Sequence, residues 1–152
     1  GTPGLRFTLG VSTFVPKAQT PFQWQGVRPE ADKRLKRLAK KVKPKGIEFR
    51  PESYGWSVIQ ALLSRSDRRL APVIAAVGDA RESIGGWKKA YRAALSGELD
   101  PPPGDPLPAP PPWDEVIHAT WEPSRVLPWI HLRGPLTPEK LRDHHDQALT
   151  PE

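Results

Sequence analysis

The chain contains no cysteine and no methionine. The first absence removes disulfides, a thiol nucleophile and thiolate metal ligation in one step. It also excludes the small secreted domain stapled by disulfides. No apolar run approaches the ~18 residues that a membrane span needs. The opening residues show no basic segment followed by an apolar stretch, so no signal peptide is visible, and the expected compartment is the cytoplasm. Also missing are a GxGxxG turn after a strand, a Walker lysine and a nucleophile elbow. Gly85-Gly86 opens a helical pattern without a strand before it and reads as a structural turn. With no methionine in the chain, Gly1-Thr2-Pro3 is expected to be the start of a fragment or of a processed product.

What is present is basic and rich in proline. The 152 residues include 20 prolines, carry a net charge of +6 and are 37% apolar. Mean hydropathy is -0.56 and the isoelectric point is near 9.8. This length holds one domain with a core, or one domain plus tails. The charge allows weak attraction to nucleic acid or to any anionic ligand.

Leu5 to Val15 alternates with period two. Leu5, Phe7, Leu9, Val11, Thr13 and Val15 share one face; Arg6, Thr8, Gly10, Ser12 and Phe14 share the other. This predicts a strand, apolar toward covering helices and small on its second face, where a ligand has room. Residues 29 to 43 predict a helix. Pro29 suits its first position, and Glu30 and Asp32 favour its start. Lys40, Lys41 and Lys43 favour its end, and Leu35, Leu38, Ala39 and Val42 form a narrow buried stripe. Pro44 and Gly46 stop it, and residues 46 to 50 predict a second strand ended by Pro51. Strand, helix and strand of these lengths predict a parallel, right-handed βαβ unit. Its ligand end is the carboxyl end of the first strand, where FVPKAQTPFQW begins.

Three short helices follow, over about 54 to 65, from Ser66 or Asp67 through Val77, and around Ile84 to Leu95. Residues 97 to 112 hold eight prolines and read as a linker or loop in preference to a PxxP ligand. Beyond them, a strand is expected around Val116-Ile117 and a short helix over Ser124 to Trp129. A last helix is expected from Thr137, with Pro138 at its first position, to about Leu149.

No catalytic residue and no metal ligand is expected. His144 and His145 are adjacent and cannot form the i, i+4 pair of a metal-binding helix. The eight basic residues between Lys33 and Lys45, with no acid among them, read as a solvated helix face in preference to a phosphate-binding row, since no aromatic residues interleave. Arg65, Asp67, Arg68 and Arg69 concentrate charge at a helix junction. Two readings stand there: an anion-binding fork, or a cap with local ion pairs.

FVPKAQTPFQW, the basic helix, GIEFRPES and LLSRSDRRLAPVI together resemble the carboxyl-terminal part of a radical SAM family. The members resembled carry a cobalamin-binding-type domain ahead of the radical SAM domain. VIHATW and VLPWIHLRGPL are similar to cyanobacterial-type members. The resemblance spans about residues 5 to 77 and, more weakly, 113 to 135. It implies an α/β fold in which a βαβ unit completes a partial (β/α) barrel of a parent enzyme, followed by a mainly helical accessory region. The implied segments are 1-52 in the barrel, a helical region 53-96, the proline-rich linker 97-112 and a terminal segment 113-152. Ser12, Phe14, Val15, Pro16, Lys17, Thr20 and Pro21 would lie near bound S-adenosylmethionine or shape its rim. Lys17, Arg65, Asp67, Arg68 and Arg69 would contact substrate. The CxxxCxxC motif that holds the family's 4Fe–4S cluster is absent, and Ser66 stands where the family commonly has glycine. The cluster, S-adenosylmethionine chemistry and any cobalamin therefore belong to the parent. The expected partners are its upstream domain, a second copy paired through the exposed strand edge, and RNA as the alternative.

Overall fold

The computed structural model describes residues 4–78, 82–99 and 107–150, so the prolines at 101, 102, 103 and 106 lie outside the described residues. The architecture is α/β with helices in the majority. Strand β1 (Thr8–Val11) leads through a long loop to α1 (Ala31–Val42), and a 3-10 turn over Lys43–Lys45 leads to β2 (Glu48–Pro51). Gly46 closes that turn at φ +73°, a left-handed conformation that glycine adopts without strain. Four helices follow: α2 (Tyr54–Arg65), α3 (Ala71–Gly78) after a 3-10 turn at Arg68–Leu70, α4 (Ile84–Leu95) and α5 (Trp113–Ile117). Helix α6 (Pro138–Leu149) closes the described chain.

Strands β1 and β2 pair in parallel, with Thr8 opposite Glu48 and Val11 opposite Pro51. The expected strand over residues 5 to 15 is thus cut to four paired residues. Its partner ends at Pro51, and one last bond follows, from Glu52 N–H to the Val11 carbonyl at 2.9 Å. The covering also differs from expectation. Helix α1 packs on β2, and Leu5 and Phe7 remain 61% and 63% exposed. The stripe Leu35, Leu38, Ala39 and Val42 is half-buried only. The second face is polar. The Thr8 hydroxyl donates to Glu48 at 3.0 Å and the Arg50 guanidinium donates to Glu48 at 2.8 Å. These donors hold the Glu48 carboxyl below its usual range.

The main core lies elsewhere, among α2 to α5. Val58, Ile59 and Leu62 of α2 meet Val73 and Val77 of α3, Trp87 and Tyr91 of α4, and Val116 and Ile117 of α5. Val27, from the loop after β1, is fully buried in this same core, and Val15 packs against it. Tyr91 donates to the Pro111 carbonyl at 2.6 Å, which ties the described end of the proline-rich segment to α4. Burial raises the Tyr91 hydroxyl to about 12, so it keeps this proton at neutral pH. A second cluster gathers Trp24, Trp121, Leu127, Trp129 and Leu141.

Two expectations in the last third are corrected. Val116-Ile117 lies in a helix. Asp114 and Glu115 occupy its first turn, where the dipole favours acids. Both Val116 and Ile117 reach the core from adjacent helical positions, so burial overrides their β preference. Ser124 to Trp129 forms turns, with Arg125 N–H donating to Glu122 and Ile130 N–H to Leu127. Pro123 and Pro128 break any longer hydrogen-bonded run there. Helix α6 follows expectation: Thr137 accepts from Lys140 N–H at 3.3 Å and Pro138 is its first residue.

Candidate functional site

The loop that leaves β1 turns inward at once. Thr13 is buried, and Pro16 is among the most buried side chains of the described residues. Pro16 and half-buried Val15 thus belong to the packing, while Ser12, Phe14 and Lys17 face solvent. Thr20 donates its hydroxyl to the Lys17 carbonyl at 2.8 Å, and Gln19 takes a left-handed φ of 57° between them. This closes the turn whose rim includes half-buried Pro21. Gln23, buried beneath the turn, accepts from Gln19 N–H at 3.0 Å and from the Trp129 indole at 2.7 Å. Lys17 is exposed and its ammonium donates to Ser64 Oγ at 3.1 Å, a neutral partner. That bond sets the loop beside the end of α2, where Arg65 begins the charged junction.

Arg65 serves the packing. It is 1% exposed. Its two terminal nitrogens donate to the carbonyls of Ile117 at 2.9 Å and Ala119 at 2.8 Å. Its guanidinium lies 3.9 Å from the centre of the Trp121 ring, and Arg125 lies 4.4 Å from that centre. Burial, with Arg125 nearby, lowers the Arg65 guanidinium to about 10, and it remains charged at neutral pH. The same stretch is stitched to the first loop. Val27 N–H donates to Ile117, Trp121 N–H donates to Trp24, and His118 Nδ1–H donates to Val27 at 2.7 Å.

Asp67 and Arg69 pair with each other. The carboxylate accepts from the Arg69 backbone at 2.9 Å, capping the 3-10 turn, and from its guanidinium at 2.7 to 3.0 Å. Arg69 holds the Asp67 carboxyl below its usual range, and Asp67 raises the Arg69 guanidinium in turn. Of the four residues at this junction, Arg68 alone is exposed. Asp67→Ala is expected to cost about 1 kcal/mol, the value of a lost cap. A carboxyl with a lowered folded pKa stabilises at neutral pH. That contribution is lost as acidification passes below pH ~4. Urea melts of both proteins at neutral and acid pH check this; a difference that stayed constant down to full protonation would contradict the pairing.

The cleft nearest the loop lies between the carboxyl end of β1 and the amino end of α1. Its volume is about 340 Å³. It is lined by Thr13 and Phe14 after β1, by Phe22, Gln25, Gly26 and Arg28 of the loop, by Ala31 and Arg34 of α1, and by Leu149 at the end of α6. Phe14 is 59% exposed and meets Phe22 edge to face at 5.8 Å. Sequence reasoning named Phe14 and the loop. It assigned Thr13 to the apolar face and Arg34 to the solvated helix face, and gave Arg28 no role. A strand's carboxyl end followed by a helix's amino end was the signal that joins them.

Comparison with protein-family models, with curated proteins and with solved structures found no match to this chain. Among the described residues, no group of three or more His, Asp or Glu side chains is placed to hold a metal, and no helix is long and apolar enough to cross a membrane.

Proposed function

We propose that this chain is the cofactor-rim and substrate-side portion of a radical SAM enzyme, completing a partial barrel whose remaining strands belong to the parent protein. The observation that carries the reading is the open parallel pair. Parallel strands are almost always covered on both faces and flanked by further strands. Here β1 and β2 have one another alone among the described residues. They present Thr8, Gly10, Glu48 and Arg50 on a face that no described helix covers, and the loop at their ligand end is built and braced.

This chain does not fit a 4Fe–4S cluster, because it has no cysteine, so no chemistry of the cluster is assigned to it. Cobalamin, likewise, would be held by the parent. For S-adenosylmethionine the fit is partial: Phe14 and Phe22 suit a purine, whereas Arg28 and Arg34 oppose the sulfonium. Of the residues that the resemblance implies, Ser12, Phe14 and Lys17 are exposed and Phe14 lines the cleft, which supports this reading, while Thr20 and Pro21 are half-buried in the turn beside them. Among the four at the charged junction, Arg68 is accessible, Asp67 and Arg69 are paired and Arg65 is consumed by packing.

In the parent polypeptide, reconstituted anaerobically with iron and sulfide, reductive cleavage of S-adenosylmethionine is expected. No cleavage with a fully loaded cluster would end the proposal. The open edge has its own consequence. Phe7 and Val11 turn their carbonyls toward β2, so in the alternation of a strand the peptides of Thr8 and Gly10 face outward. The isolated chain is expected to self-associate through that edge, and Phe7→Lys to weaken the association. A monomer by light scattering at every concentration would contradict it.

The exposed basic face of α1, with Lys33, Arg37, Lys40 and Lys41, favours a second reading, a non-enzymatic module that binds RNA or a protein partner. RNA affinity that falls steeply with salt, and is lost when Lys36 and Arg37 are reversed in charge, would support it.

A further inference from the structure

We propose that the cleft between β1 and α1 binds a purine nucleoside monophosphate, with the base against Phe14 and Phe22 and the phosphate between Arg28, Arg34 and the first turn of α1. Every group involved belongs to this chain, so the proposal does not depend on the parent-enzyme reading.

The size fits. A cleft of about 340 Å³ lies at the lower end of the range for small-ligand pockets. One half is aromatic. Phe14 keeps an exposed ring, steadied by Phe22 at 82° to it. Every base has a π-face that such rings can stack.

The other half is cationic. Arg28 and Arg34 share a single carboxylate, Glu30, at 3.8 Å from each, beyond hydrogen-bonding reach. The group of three therefore keeps a net positive charge. Asp32, the other acid in that turn, is already taken by Lys36 at 2.6 Å. Two guanidiniums can fork onto phosphate oxygens. Helix α1 runs twelve residues, and its first turn has no side-chain cap, since Glu30 makes no capping hydrogen bond. The helix dipole adds to the attraction for an anion.

Thr13 forms part of the wall and is 8% exposed, and its hydroxyl has no hydrogen-bond partner among the described residues. Turned toward the cleft, it would offer a ligand a further hydrogen bond.

The test is calorimetric titration of the whole chain with AMP, adenosine, ribose 5-phosphate and S-adenosylmethionine. AMP is expected to bind with a dissociation constant on the order of 10–100 μM, the affinity of a ligand of its size. Adenosine and ribose 5-phosphate each lose one half of the site and are expected to bind about tenfold more weakly. Arg34→Ala is expected to weaken AMP about tenfold, and Phe14→Ala about fivefold. Both side chains are exposed, so both variants should fold. Glu30→Gln removes the competing carboxylate and is expected to tighten AMP about twofold. Absence of saturable AMP binding overturns the proposal. So does AMP binding that neither Arg34→Ala nor Phe14→Ala changes, or S-adenosylmethionine binding as tightly as AMP. The last result would leave the parent-enzyme reading standing, and AMP binding in a chain whose parent cleaves no S-adenosylmethionine would leave this one.

Discussion

Replacing Arg65 with leucine is expected to destabilise the protein by about 2–4 kcal/mol, more than any surface substitution in the charged junction. Two charge-assisted hydrogen bonds disappear together, to Ile117 and Ala119. The Ile117 carbonyl keeps Val27 N–H as a donor, whereas Ala119 loses the guanidinium that reaches it. Stacking on Trp121 goes as well. Removing a desolvated charge returns part of the cost, which is why the expected loss stays below the sum of the bonds. In a chain of this size the midpoint of thermal unfolding should fall on the order of 10 °C. Arg65→Lys should fall between the two, because one ammonium cannot span both carbonyls. Thermal melts followed by tryptophan fluorescence decide it. If the leucine variant melted with the parent chain, Arg65 would not be the bridge between α2 and the segment after α5, and a ligand role for it would reopen.

The second large effect is expected at Gly26. A Cβ built there would stand 2.1 Å from the His118 carbonyl oxygen and 2.9 Å from that of Ala119. Both neighbours are backbone, and neither can yield cheaply. The two segments are held together on either side of Gly26 by the Trp121–Trp24 and Val27–Ile117 hydrogen bonds. Gly26→Ala is therefore expected to cost roughly 3 kcal/mol, the upper range for overpacking. Because Gly26 also lines the cleft, AMP affinity should fall with stability, whereas Arg65→Leu should act on stability first. Denaturant midpoints and titrations on one preparation separate these outcomes. An alanine variant as stable as the parent chain would mean that residues 24–27 and 117–121 do not approach this closely. The two sites share Ile117, Ala119 and their neighbours, so their effects should not add in the double variant.

These two residues show where local reading reaches its limit. Arg65 stands in a cluster of arginines around one aspartate, and its sequence neighbours favour an anion-binding fork as readily as a cap. Its partners lie 52 and 54 residues away. No local pattern announces them, because a backbone carbonyl is offered by every residue and its availability depends on how the segment after α5 is turned. Gly26 likewise lies in no turn motif. Its need for a bare Cα comes from a close approach to residue 118.

The local elements were legible where one short-range rule governs them. Helix α1, the stop at Pro44 and Gly46, and helix α2 follow from breakers and 3.6-residue periodicity, and the Thr137-Pro138 start of α6 from its cap; α1 begins at Ala31, however, and leaves Pro29 in the turn before it. The parallel pairing of the two strands on either side of α1 followed from element order and length; its register, Thr8 opposite Glu48, did not. What only the tertiary structure decided is which apolar surface counts. The alternation of Leu5, Phe7 and Leu9 marks a strand but does not say that α1 leans on β2 and leaves all three exposed. Val116-Ile117 has the residues of a strand and becomes a helix because both side chains reach α2 that way. The cleft is set by tertiary structure for the same reason. Thr13, Phe14, Arg28 and Arg34 each have a bland local explanation, and they become one site because the loop between them is pulled into the core by Pro16 and Val27. Burial and long-range hydrogen bonds are properties of the folded whole, whereas caps and periodicity are written within a few residues of chain.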